Sequence, residues 1–151
     1  MTAGHRSAIV LEARSWLGTP FHHEARVKHA GVDCLQLLVG VYAAVGLLPD
    51  LDTPHYSPDW HLHQTEELYL DGIRQYCDLL PASELPQPGD IAMFRYGHQA
   101  AHGAIVIEWP TICHAWRDAG RVVLSDATSG PLARRLVGFW RLKTLTAGEG
   151  A

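Results

Sequence analysis

Three residues are of types that can work together in nucleophilic catalysis: Cys34, His102 and His114. Cys34 stands in the run Gly31-Val32-Asp33-Cys34-Leu35-Gln36-Leu37. Asp33 is a good N-cap, Gln36 completes a capping box, and Val32 and Leu37 occupy hydrophobic-staple positions. Cys34 then falls at the first helical position, where unpaired backbone N–H groups and the positive end of the helix dipole favour an anion. A thiol held there is expected to have a lowered pKa and to convert readily to the nucleophilic thiolate. It needs a general base, most often a histidine. His102 opens the apolar run Gly103-Ala104-Ile105-Val106-Ile107, which places it at a strand end beside a cleft. His114 is a polar residue in the middle of Ile112-Cys113-His114-Ala115-Trp116, where a second imidazole would orient the first. Their separation suits adjacent strands joined by a turn near Pro110, although a plain ladder would also allow the two rings to lie at different levels.

Each of these residues has a reading without chemistry. A cysteine in an apolar helix is most often an inert small hydrophobe, and a histidine on an apolar strand is most often a satisfied core residue. Cys113 alternates to the opposite strand face from His114 and belongs to the core, and Cys77, near a helix end, reads as structural or partly exposed. The ten histidines raise the question of a metal. His61 and His63 with Asp59, or His22 with His23, are conceivable ligands, but no HExxH or close four-ligand spacing exists. Neither a native metal nor a cofactor is expected.

Positioning these side chains requires helices first and strands afterwards. Ser7 to Leu17 has helical spacing and ends at Gly18 and Pro20. A His-rich loop leads to the helix that starts after Asp33, which is apolar nearly all round to about Val45 and so reads as the central buried helix. Asp50 to His63 reads as an irregular loop, and Thr65 to about Leu79 as a third helix. After the turn at Pro86, Pro88 and Gly89, strands are expected at Asp90–Tyr96, Gly103–Trp109, Thr111–Trp116, Arg121–Ser125 and Leu136–Leu142. Thr146 to Ala151 reads as a frayed tail. The order implies an α+β fold, N-terminal helices packed on a C-terminal antiparallel β-sheet, in a single domain over residues 1–151.

Composition narrows the function. With 47% hydrophobic and 19% charged residues the chain is ordinary for a globular domain. A net charge of -4 without a basic stripe argues against nucleic acid as a partner. Three cysteines without CxxC spacing argue against a disulfide framework. The N-terminus has no signal-peptide pattern, and no apolar run reaches the ~18 residues that suggest membrane insertion.

Five motifs in order resemble the NlpC/P60 cysteine peptidases: Trp16-Leu17-Gly18-Thr19-Pro20-Phe21, Gly31-Val32-Asp33-Cys34, Pro88-Gly89-Asp90-Ile91-Ala92-Met93-Phe94, His102-Gly103-Ala104-Ile105-Val106 and Ile112-Cys113-His114-Ala115. Segments such as Pro58–His63 and Glu67–Gly72 look typical of the phage- and prophage-borne, tail-associated branch. The resemblance spans roughly Ser7 to Leu142 and implies a papain-like fold. It implies Cys34 as nucleophile, His102 as general base and acid, and His114 as the orienting polar residue. It also implies cleavage of peptidoglycan stem peptides at the D-γ-glutamyl–diamino acid bond. The implied site of action is a virion tail, reached from the bacterial cytoplasm, with phage tail proteins as partners. Substrate-binding roles carry over to Asp33, Phe21, His22, His23 and Gln36. Phe21 stands where the family often has Tyr, with His22 or His23 as substitutes, and Leu35-Gln36 stand where Ser-Gly is common. Two other functions remain open at this stage: a structural tail-assembly protein with an idle site, and a thiol amidase or acyltransferase acting on another amide.

Overall fold

A buried carboxylate joins the two ends of the chain. The computed structural model describes residues 2–53, 72–96 and 99–149. Within them, Asp90 has no exposed surface and receives Arg6 Nη1 at 3.0 Å, Arg141 Nε at 3.0 Å and Arg141 Nη2 at 2.9 Å. Arg6 lies on α1 (Thr2–Ser15), which starts a turn and a half before the expected Ser7. The added residues carry Arg6 to its partner, so a tertiary ion pair rather than the local cap sets where the helix matters.

The central helix α2 (Cys34–Ala44) matches expectation, with Asp33 as N-cap in extended conformation. It is nearly all buried, and at Gly40 the ring of Trp16 comes so close that a Cβ would meet it at 2.9 Å. At the other end of the helix, the Tyr42 hydroxyl donates to Gly89 O at 2.8 Å. Gly89 has φ +93, a left-handed conformation that favours glycine, and so forms the turn into the sheet.

Two short strands, β1 (Arg26–Val27) and β2 (Gly31–Val32), form a ribbon before α2. The main sheet comprises β3 (Cys77–Leu79), β4 (Ile91–Tyr96), β5 (Gln99–Glu108), β6 (Thr111–Trp116), β7 (Arg121–Asp126) and β8 (Leu136–Leu142). Its order is β3-β8-β4-β5-β6-β7, antiparallel at every pairing. Alternation sorts the strands' side chains. Met93, Ile105, Cys113 and Ala115 face the helix layer with Ile9, Leu37 and Val41, whereas Phe94, Ala104, Val106 and Ile112 pack under Ala127 and Leu132 from the β7–β8 connection. The α+β architecture of helices on an antiparallel sheet is therefore as expected.

Besides the early start of α1, three boundaries differ from expectation. Strand β5 begins at Gln99 and not Gly103, because its first residues pair with the end of β4, so His102 lies within the strand and not at its end. The third helix was expected to run to about Leu79. Residues 72–76 are helical (α3), but Cys77–Leu79 pairs with β8 as an edge strand. The β8 ladder and burial of Cys77 outweigh helical periodicity there. Of the expected frayed tail Thr146–Ala151, residues 146–149 belong to a helix, α4 (Lys143–Glu149), anchored by the fully buried Leu145, and 150 and 151 lie outside the described residues. The irregular loop from 54 onward and most of the third helix lie outside the described residues.

Removing Asp90 takes the shared buried carboxylate from two cations that are each only 7% exposed, leaving Arg6 with the Pro88 carbonyl and Arg141 with Glu84. Asp90→Ala is expected to cost about 3–5 kcal/mol, read from urea unfolding. Asp50→Ala, which removes the solvent-facing partner of Arg26, is expected to cost less than about 1 kcal/mol.

Candidate active site

Asp33 builds the platform for the thiol. Its Oδ1 accepts from the Gln36 backbone N–H at 2.9 Å and its Oδ2 from the Glu24 N–H at 2.7 Å. The first bond is the expected cap. The second ties the preceding loop to the helix start, at a residue with φ 61. Both staple residues, Val32 and Leu37, are fully buried.

Cys34 is 7% exposed and packs within the helix-side core. The backbone N–H groups of Gly103, Leu35 and Cys34 itself surround its sulfur. Gly103 is opposite Met93 on the helix-facing side of β5, and having no side chain it leaves the strand backbone open to the thiol. The sulfur is thus held against the residue next to His102. Burial, followed by the negative charge of Asp33, pushes the thiol up to about 12; the three N–H donors act in the opposite direction. The lowered pKa expected at a helix start is not found. Removal from water outweighs the local field, and the resting group is the neutral thiol.

His102 and His114 are brought together. His102 pairs with Phe94 across β4–β5. Ile105 pairs with Cys113 across β5–β6, and carrying that register back sets Ala104 opposite His114. The two imidazoles are therefore diagonal neighbours on one sheet face. His102 Nε2 and His114 Nδ1 lie 2.7 Å apart, with the ring planes at 68°. His114 Nε2 then meets Ser125 Oγ at 2.8 Å, and the Trp116 ring stacks on His114 at 5.2 Å. Ser125 was not singled out in the sequence. Its one available signal was parity, since Ser125 pairs with Ile112, two residues from His114 on the same face.

Both rings are buried, and both are held neutral. Burial, and secondarily His114, drives His102 well below 6.5, and burial lowers His114 to about 4. The arrangement is a thiol near three backbone N–H donors, one of them on the residue that follows His102, and a neutral, hydrogen-bonded imidazole pair. Such a set can transfer a proton from sulfur to nitrogen and stabilise a developing oxyanion.

The residues given substrate roles are more scattered. Phe21 is half-buried against the β6–β7 hairpin, with its N–H donating to Gly120 O at 2.8 Å and Arg117 over its ring at 5.7 Å. His22 is exposed. His23 is half-buried, 3.4 Å from Glu24 and 4.0 Å from Asp33 Oδ2. Gln36 is buried and its amide donates to Thr53 Oγ1 at 2.7 Å, a bond that fixes the segment after α2. Both oxygens of Asp33 serve backbone N–H groups, so its role here is to shape the helix start. No group of three or more candidate metal-ligating side chains occurs among the described residues, and Asp59, His61 and His63 lie outside them.

The fold is that of the NlpC/P60 proteins. A Staphylococcus aureus protein, described as similar to a lipoprotein of the NLP/P60 family, superposes with TM-score 0.65 and 20% identity over 92% of this chain and 41% of its own. The peptidoglycan hydrolase RipB of Mycobacterium tuberculosis gives 0.62 and 18% identity over 92% of this chain and 64% of its own. RipD of the same organism, described as a non-catalytic NlpC/p60 domain protein adapted to peptidoglycan binding, gives 0.57 and 13% over 90% of this chain and 95% of its own. The chain therefore spans about two fifths of the Staphylococcus protein's length. No protein-family model matches the chain. No curated protein matches it either.

The depressed imidazoles make stability depend on acid. As pH falls below 6.5 the unfolded chain protonates at His114 while the folded protein resists until about 4. Stability from this residue is complete above 6.5 and is lost progressively toward 4, by roughly 3 kcal/mol in all. His102 adds loss of the same sign. Urea midpoints followed down through that window are expected to fall steeply in the native protein and less steeply in His114→Asn.

Proposed function

We propose that the protein is a cysteine peptidase that hydrolyses amide bonds of peptidoglycan stem peptides, with residues 1–151 as one catalytic domain. The observation that carries this reading is the 2.7 Å bond between the buried His102 and His114, on the strand whose Gly103 N–H meets the Cys34 sulfur. The fold shared with peptidoglycan hydrolases supports the substrate class.

In this mechanism Cys34 is the nucleophile. His102 Nε2 is engaged with His114, so Nδ1 takes the thiol proton as sulfur attacks the scissile carbonyl. The N–H groups of Cys34 and Leu35, which already surround the sulfur, stabilise the tetrahedral oxyanion. The imidazolium returns its proton to the leaving amine. Water, deprotonated by the same nitrogen, then releases the acyl group. Because the thiol is neutral at rest, proton removal and attack are coupled. Because His102 must be neutral to act, the acid limb of kcat/KM is expected below the ordinary 6.5 of histidine.

The finer reading is cleavage after D-γ-glutamate and before the diamino acid, in a phage or prophage tail with tail proteins as partners. The protein would be made in the bacterial cytoplasm and built into the virion. This rests on the motif resemblance and on the segments at 58–63 and 67–72. A second reading is a non-catalytic, peptidoglycan-binding or tail-structural domain. It is favoured by the fold shared with RipD and by a nucleophile only 7% exposed.

Incubation with purified sacculi, with and without a thiol-alkylating reagent, separates the two. The peptidase releases fragments whose masses identify the new termini. Cys34→Ala and His102→Ala are expected to lower that release by at least about a thousandfold with the fold intact. Release by Cys34→Ala at the wild-type rate defeats the assignment. Retention of the protein on sacculi without any fragment release establishes the second reading.

A further inference from the structure

The hydrogen-bonded chain does not stop at His114. His102 Nε2, His114 Nδ1, His114 Nε2 and Ser125 Oγ form a continuous series with gaps of 2.7 and 2.8 Å across β5, β6 and β7. A neutral imidazole carries one N–H, so two neutral rings and a hydroxyl can satisfy this series in two directions. In the first, His102 Nε2–H donates to His114 Nδ1 and His114 Nε2–H donates to Ser125 Oγ. In the second, the Ser125 hydroxyl donates to His114 Nε2 and His114 Nδ1–H donates to His102 Nε2. The second direction places the proton of His102 on Nδ1, where it blocks transfer from Cys34.

Only the first direction survives the chemical step. When Cys34 S–H gives its proton to His102 Nδ1, the resulting imidazolium carries a hydrogen on both nitrogens. Its Nε2–H must then meet a lone pair on His114 Nδ1, which requires the hydrogen of His114 to be on Nε2. That hydrogen lies in a fully buried side chain and needs an acceptor. Ser125 Oγ is the atom in place to accept it. No proton travels along the series; each bond keeps its donor while charge appears on His102.

We propose that Ser125 is a positioning residue of the site: by accepting from His114 Nε2–H it fixes the tautomers of both imidazoles and keeps His102 Nδ1 as the proton acceptor. The inference rests on the peptidase reading for its catalytic consequence, but its structural content is independent of it. Trp116, stacked on His114, confines the ring so that the bond rather than a rotation of the ring decides the tautomer.

The test compares Ser125→Ala with Ser125→Thr, which retains a hydroxyl and suits a strand. Nitrogen-15 spectra of the imidazoles, recorded without substrate, are expected to show Nε2–H on both His102 and His114 in the wild type and in Ser125→Thr. In Ser125→Ala the His114 signal is expected to divide between tautomers. With stem peptide as substrate, kcat of Ser125→Ala is expected to drop about tenfold, the size of one net hydrogen bond, with KM nearly unchanged and the rate restored in Ser125→Thr. An Nδ1–H tautomer on His114 in the wild type overturns the proposal. So does a Ser125→Ala spectrum identical to that of the wild type. If the wild type cleaves no stem peptide, the peptidase reading fails, while the spectra still decide the role of Ser125.

Discussion

The buried carboxylate of Asp90 is the constraint on which the remaining geometry rests. It stands at the entry to β4 and receives cations from α1 and from β8, the first helix and the last strand. Its own turn is closed by the Gln87 N–H at 2.8 Å, and next to it Gly89 O receives the hydroxyl of Tyr42 from α2. A charge without water contact is tolerated only when surrounded in this way. The consequence is directional. With α1, α2 and β4 fixed at this end, the start of α2 meets the middle of β5, and there the Cys34 sulfur is held at Gly103.

Two physical effects compete at that sulfur. A helix N-terminus favours an anion by about 0.3–1 kcal/mol, up to about 2 in partly buried settings. Burial acts the other way and, together with Asp33, raises the thiol from 9.0 to about 12, roughly 4 kcal/mol against the thiolate. The larger effect prevails, so in the proposed peptidase the thiol would need a base to give up its proton. His102 is lowered by the same loss of water, so thiol and imidazole rest neutral together. In the proposed reaction a substrate carbonyl would supply what the resting field lacks, with the N–H groups of Cys34 and Leu35 near the place where oxyanion charge would develop.

Local features were the most legible in the sequence. The Asp33 cap, the position of Cys34, the apolar α2 and four of the strand positions follow from short-range patterns, and each is found within a few residues. The His102–His114 contact was half legible. Spacing placed the residues on neighbouring strands, but the level of the rings depends on register, and the β4–β5 pairing slips between Phe94 and Arg95. Ser125 was hidden for the same reason. The ends of α1, β3 and α4 were misjudged because Arg6, Cys77 and Leu145 are held by partners far away in the chain. The thiol pKa was misjudged because a capping pattern carries no information about how much protein surrounds the cap.

The fold alone does not separate a peptidase from a binding domain, since RipD shares it. The cost of the polar residues is more informative. His102 and His114 take up positions beside Phe94, Ala104 and Ile112, where aliphatic side chains would pack without needing partners or losing stability in acid. Each imidazole instead needs its hydrogen bonds satisfied, in a series that ends at a third strand. Strongly shifted groups that cluster in this way are more frequent at functional sites than in a plain core. The imidazole series is therefore a feature of this chain's own residues that the resemblance of the fold does not by itself account for.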